Sequence, residues 1–279
     1  MNTIIRATWQ EMARRKMLLI TLVLTALFLA VFWFIADTVA LPGGGAASDL
    51  IGQFARRSAI LSLGFFFGGF VVAFLAIFSS FSVISGEAEQ GVLQAVLTRP
   101  IPRWKWYVGR WIGYVSLIGT YALLLYVCIV AITGVHAGFN RHAGDNVSSL
   151  LLFLAAVPAL VSLSMLGSCL FSGIGNGVFV TMMYGAGWLG GMVEKVRGVL
   201  PVEPDVQATL SRIGALLSLV MPGDGLNRRM QYVLTQGAGE TIPFLTGGNP
   251  PSNAFIVYAL IYTVFAFGLG LWLFKRKDF

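Results

Sequence analysis

The sequence predicts an all-α membrane protein with six transmembrane helices, an N-terminal amphipathic interfacial helix and a short cytoplasmic helix between spans 2 and 3. Three observations carry this. Of 279 residues, 57% are hydrophobic and only 11% charged, roughly half the charged share of a soluble domain. The apolar runs are continuous rather than alternating, so they read as helices and not as barrel strands. The basic residues gather at the ends of those runs, as headgroup anchors do.

A helix needs about 20 apolar residues to cross the hydrocarbon core. We place spans at about 17–38, 58–84, 109–134, 149–171, 177–193 and 253–274, in a single domain covering 1–279. Met17 to Ala36 holds no charge until Asp37 and exceeds the usual signal-peptide core of about 7–15 residues, so it reads as a retained span. The uncharged stretch from Asn146 to Val193 is long enough for two spans, divided at Ser172–Gly177. Asn2 to Lys16 puts Ile4, Ile5, Thr8, Trp9 and Met12 on one face, an amphipathic helix at the membrane surface. Trp9, Arg14, Arg15 and Lys16 are its candidate interfacial anchors, with Trp104 and Trp106 at the entry to the third span.

Orientation follows the basic residues. Arg6, Arg14, Arg15 and Lys16 precede span 1; Arg99, Arg103, Lys105 and Arg110 lie between spans 2 and 3; Lys275, Arg276 and Lys277 follow span 6. These three regions share one side, which the positive-inside rule makes cytoplasmic, together with both termini. The net charge of +7 is thereby read as membrane anchoring to lipid, with no nucleic acid partner. The outer segment 194–252 carries an amphipathic stretch, Val206 to Val220, then a turn at Pro222-Gly223-Asp224-Gly225; it is apolar enough to dip into the membrane or pack over the spans.

Ser85 to Arg110 is the most informative stretch. Ser85 can cap a helix, and Glu87 and Glu89 fall in its first turn, where the dipole favours acids. Val92, Leu93, Val96 and Leu97 form an apolar ridge at helical spacing, and Pro100 and Pro102 stop the helix. A short helix therefore projects on the cytoplasmic side, and its ridge wants a protein partner.

The run Ser85-Gly86-Glu87-x-Glu89-x-Gly91-x-Leu93-Gln94, followed by Arg99-Pro100-Ile101 and Arg103, resembles the coupling-helix segment of ABC-2 type transporter permeases. The likeness is closest to the branch with the nitrous-oxide-reductase maturation permease. It is specific in residues over 85–110 and in the tail Phe274 to Phe279, and it covers the rest in layout. The resemblance implies a bacterial inner-membrane permease, an exporter, paired as a homodimer or pseudo-dimer and driven by a separate ABC ATPase subunit. It implies that Glu87, Glu89, Gly91, Leu93, Leu97, Arg99 and Arg103 couple to that subunit. No G-x-x-x-x-G-K-[ST] loop is present, so the chain is not itself the ATPase: ATP and Mg belong to the partner, and no cofactor or metal is expected here.

Other constellations read as packing. Gly64/Gly68, Gly109/Gly113, Gly173/Gly177 and Gly187/Gly191 have small-xxx-small spacing, and the cluster Gly185-Gly187-Gly190-Gly191 is a candidate dimer or substrate-path surface. Cys128 and Cys169 read as buried apolar residues, Met182, Met183 and Met192 as packing, and His136 and His142 as residues of a short outer loop. Ser162, Ser164 and Ser168 read as hydroxyls returned to their own helix's carbonyls. The rivals to a permease are a non-transporting anchor or assembly subunit and a secondary transporter. The latter would need ionisable groups at membrane depth, and no charged residue lies mid-span.

Overall fold

The computed structural model describes residues 1–14, 16–40, 49–89, 91, 102–137, 143–197, 204–235 and 251–277. Its helices are α1 (Asn2–Arg14), α2 (Lys16–Ala40), α3 (Asp49–Ser80), α4 (Ser85–Glu89), α5 (Arg103–Ala137), α6 (Ala143–Leu170), α7 (Gly173–Arg197), α8 (Pro204–Val220), α9 (Gly223–Thr235) and α10 (Asn253–Arg276). No strand occurs among the described residues.

Five of these helices are long and apolar enough to cross a membrane: α2, α5, α6, α10 and a stretch from Arg56 to Glu89 that includes most of α3. The expected sixth span lies within α7, which has the length but not the apolarity. Gly173, Gly175, Gly177, Gly185, Gly187, Gly190 and Gly191 dilute its hydropathy. The expected break at Ser172–Gly177 is shorter than the sequence suggested: the helices part only at Phe171 and Ser172, and the glycine run Gly173–Gly177 forms the start of α7. Helices α3 and α6 form the centre of the bundle, and α2 and α10 lie largely exposed at its edge.

Glycines set the closest approaches. A Cβ on Gly109 would fall 2.9 Å from Ile4 Cγ2, and one on Gly113 would fall 2.7 Å from Thr8 Cβ. The two glycines make a notch in α5 that receives two residues one turn apart on α1. Thr8 and Met12 are buried there, and Trp9 Nε1 donates to Ser116 Oγ at 2.9 Å. Helix α1 is therefore docked against α5. A second notch, Gly64/Gly68 of α3, receives Ile129 of α5.

Residues 204–235 are folded onto the bundle. Helix α8 runs back along α7, where a Cβ on Gly190 would lie 2.7 Å from Gly214 O and one on Gly187 2.8 Å from Met221 O. The Gly187-Gly190-Gly191 face is thus spent on packing within the chain, whereas Gly185 meets nothing within 4 Å. The expected turn at Pro222–Gly225 is a break at Met221 and Pro222, after which α9 starts at Gly223. Helix α9 packs on α6, α3 and α7 and brings in an ion pair, Arg228 Nε to Asp224 Oδ2 at 3.0 Å, with side chains 7% and 13% exposed. Charged groups thus lie among the packed helices.

Two further expectations are corrected. Helix α5 continues to Ala137, so His136 belongs to a helix and not to a loop. Its ring lies edge-on to Trp33 at 4.5 Å, and its Nδ1 is 2.9 Å from Ile132 O. Ser162 and Ser168 bond to other helices: Ser162 Oγ accepts from Trp111 Nε1 at 2.9 Å, and Ser168 binds the turn before α4. A serine shared between helices contributes more in lipid than one returned to its own backbone.

Replacing Gly190 by valine drives a side chain into the backbone of α8, which cannot yield as a side-chain tip would. It is expected to cost about 1–3 kcal/mol and to lower the thermal midpoint in detergent. Gly119→Ala, where a Cβ would meet nothing within 4 Å, is expected to leave the midpoint unchanged.

Candidate functional site: the base of the 85–110 segment

The chain leaves α3 through a turn over Phe81 to Ile84 and enters α4, five residues long. Glu87 lies in the first turn of α4, whereas Glu89, expected in the same turn, is the last residue of this short helix. Gly91 has φ +70°, the left-handed region that a side chain disfavours, so the chain changes direction there. Residues 92–101 lie outside the described residues, and with them the ridge at Leu93 and Leu97 and the base Arg99. The chain is described again from Pro102, just before α5.

Both ends of this stretch are fastened to the bundle. On the entering side, Ser168 Oγ of α6 accepts the backbone N–H of Ile84 and of Ser85, each at 3.0 Å, and lies 3.1 Å from Ser85 Oγ. Ser85 therefore binds α6 instead of capping its own helix. Glu89 is exposed, and its Oε1 accepts the Gly173 N–H at 3.2 Å at the start of α7. On the leaving side, Arg103 Nη1 donates to Lys277 O at 2.9 Å and to Lys275 O at 3.3 Å, satisfying carbonyls at the end of α10. Lys277 Nζ in turn donates to Cys169 O at 2.7 Å, at the end of α6.

The two sides meet at Arg110. Its Nη2 pairs with Glu87 Oε1 and its Nη1 with Glu11 Oε2 of α1. The guanidinium also lies over the Trp106 ring at 5.4 Å, and Trp106 stacks on Phe274 of α10 at 5.1 Å. One cation therefore ties α1, α4, α5 and α10 together. Arg110 is 12% exposed, Glu87 14% and Glu11 34%, so the Arg110–Glu87 pair is shielded from water and the Arg110–Glu11 pair only in part.

Among the residues singled out from sequence, this places Glu87, Glu89, Gly91 and Arg103 together at one end of the bundle. Glu87 is turned inward to Arg110, and Glu89 outward. Trp104 is exposed with Lys105 Nζ 5.7 Å from its ring, whereas Trp106 is buried in the aromatic stack. Arg14 and Lys16 are exposed, and Arg15 lies outside the described residues. Sequence reasoning passed over Glu11 and Arg110. Arg110 reads there as one more basic residue beside a span, and nothing in a linear pattern pairs it with acids 23 and 99 positions away. No cluster of His, Cys, Asp and Glu suited to a metal occurs among the described residues.

The model of the family described as ABC-2 family transporter protein matches residues 3–279. No curated protein matches the sequence.

Arg110→Gln would leave two shielded carboxylates facing each other. It is expected to destabilise the chain by about 3 kcal/mol, the low end for breaking a buried pair because Glu11 is one-third exposed. Glu11→Gln keeps the Glu87 pair and is expected to cost under about 1 kcal/mol. Adding Glu87→Gln to Arg110→Gln should recover part of the loss. Thermal melts of the four proteins in one detergent check this order, and an unshifted Arg110→Gln midpoint would contradict it.

Proposed function

The chain belongs to the ABC-2 transporter family, and we propose that it couples ATP hydrolysis on a separate ABC ATPase subunit to export through a paired membrane domain. Membership makes it a multi-pass membrane protein and the permease component of an ABC transporter. The partner, the direction and the pairing are our reading. In that reading α7 is the sixth span, both termini and residues 85–110 face the cytoplasm, and the membrane is a bacterial inner membrane. The narrower likeness to the nitrous-oxide-reductase maturation permease rests on residues 85–110 and the tail Phe274 to Phe279.

The observation that supports coupling is the fastening at both ends of residues 91–102. A contact made on that stretch can be felt by the spans only if its ends are fixed to them. Ser85, Glu87 and Glu89 fix one end to α6, α5 and α7, and Arg103 and Arg110 fix the other to α10 and α1. ATP-driven closure of a partner bearing on this stretch would supply the differential contact energy that shifts a two-state membrane domain. Leu93, Leu97 and Arg99 are the proposed contact residues, with Glu89 beside them. Glu87 acts differently in this reading: its bond to Arg110 makes it part of the mount.

The chain is expected to co-purify with a P-loop ATPase. Leu93→Ala combined with Leu97→Ala should weaken that complex at least about tenfold, since each ~1.4 kcal/mol of lost contact is a factor of ten, with an unchanged melting midpoint of the isolated chain. Titration of purified ATPase onto the chain in lipid discs measures it. Wild-type affinity in the double variant would remove the ridge from the coupling contact.

A further inference from the structure

Asn176, in the first turn of α7, is fully buried. Its Nδ2 donates to Phe81 O at 2.6 Å and to Ser164 O at 2.8 Å. Two carbonyls can only accept, so the amide orientation is set by its partners. One side chain thereby joins the exit of α3, the C-terminal part of α6 and the start of α7. Phe81 O belongs to the turn that leads into α4, four residues before Ser85.

The other half of this amide is unsatisfied. Asn176 Oδ1 has no hydrogen-bond partner among the described residues, and neither has Ser164 Oγ, which is also fully buried. Gly167 makes room for the amide: a Cβ there would fall 2.0 Å from Asn176 Oδ1. A buried acceptor without a donor is costly, and here a hydroxyl able to donate belongs to a residue whose carbonyl the same amide already binds. A small shift of the α7 start against α6 that brings Ser164 Oγ to Asn176 Oδ1 would satisfy both atoms. Such a shift would give the site a second discrete arrangement, the property that a coupling element needs.

Helix α7 leads from this site to the outer hairpin. Its contact with α8 is backbone on backbone at Gly187 and Gly190, so α8 has little freedom to stay behind when α7 shifts. We propose that Asn176 is a positioning residue that passes movement of the 81–89 turn into α7 and through it to the α8–α9 hairpin. Ser164 Oγ is its partner in the second arrangement. This inference rests on the coupling role proposed for residues 85–110.

The test uses the complex with its co-purifying ATPase in lipid discs, with Cys128→Ala and Cys169→Ala in place and spin-label pairs at Gln94/Val135 and Tyr232/Val135. Val135 and Tyr232 are exposed on α5 and α9. Distances are read before and after trapping with ATP and vanadate. In otherwise wild-type protein both distances are expected to shift. Ser164→Ala keeps the backbone carbonyl and both present bonds and removes only the alternative partner. In it the Gln94 shift is expected to persist while the Tyr232 shift is lost. Asn176→Leu is expected to do the same, and should it fail to fold, Ser164→Ala decides. A full Tyr232 shift in Ser164→Ala, or none in wild type beside a clear Gln94 shift, overturns the inference and leaves the coupling reading standing. No Gln94 shift in wild type overturns both.

Discussion

Lipid gives apolar helices no reason to prefer one another, so a bundle in a membrane depends on backbones that approach closely and on a few polar bonds between them. In this chain the close approach comes from paired glycines. Gly109 and Gly113 seat α1, Gly64 and Gly68 seat Ile129, and Gly187 and Gly190 seat the backbone of α8. Each notch removes a side chain where a neighbour must come within ordinary contact distance. Each also leaves its helix less apolar, and this is why α7, the most notched helix, stands apart from the five strongly apolar ones.

Polar bonds supply what the notches do not, and many of them collect at one end. Ser85, Ser168, Arg103, Lys277, Arg110, Glu87, Glu11 and Asn176 bind helix ends to one another there. Several of them satisfy groups that a helix terminus leaves open, such as the carbonyls at the ends of α10 and α6. The same bonds that complete the backbone accounting thus fix the described chain on either side of residues 92–101. A stiff mount suits a segment through which an external contact is to act on six or more helices at once.

The class of fold and five of the spans could be read directly, because a run of apolar residues is a local property. The interruption close to Ser172 and the placing of Glu87 in the first turn of α4 were equally local. What escaped was long-range. Arg110 pairs with residues far away in sequence, and no periodicity reports that. The extension of α5 to His136 was hidden because a lone histidine near a glycine-bearing stretch reads as a loop. The Asp224–Arg228 pair was visible as an acid and a base one helical turn apart, but only the packing of α9 against α3 and α6 shows it to be buried. Leu93, Leu97 and Arg99, the center of the sequence argument, lie outside the described residues, so their role rests on pattern and family.

The central claim is that residues 92–101 touch an ATP-hydrolysing subunit and that the rest of the surface at that end serves to mount them. Site-specific photocrosslinking tests this most directly. A photoreactive amino acid is placed at position 97 and, as a reference, at Tyr232 on α9, in membranes that hold the complete transporter. The account predicts an adduct from position 97 with a subunit that binds ATP, and none with that subunit from position 232. An ATPase adduct from position 232, or none from position 97 in a complex that hydrolyses ATP, would contradict it.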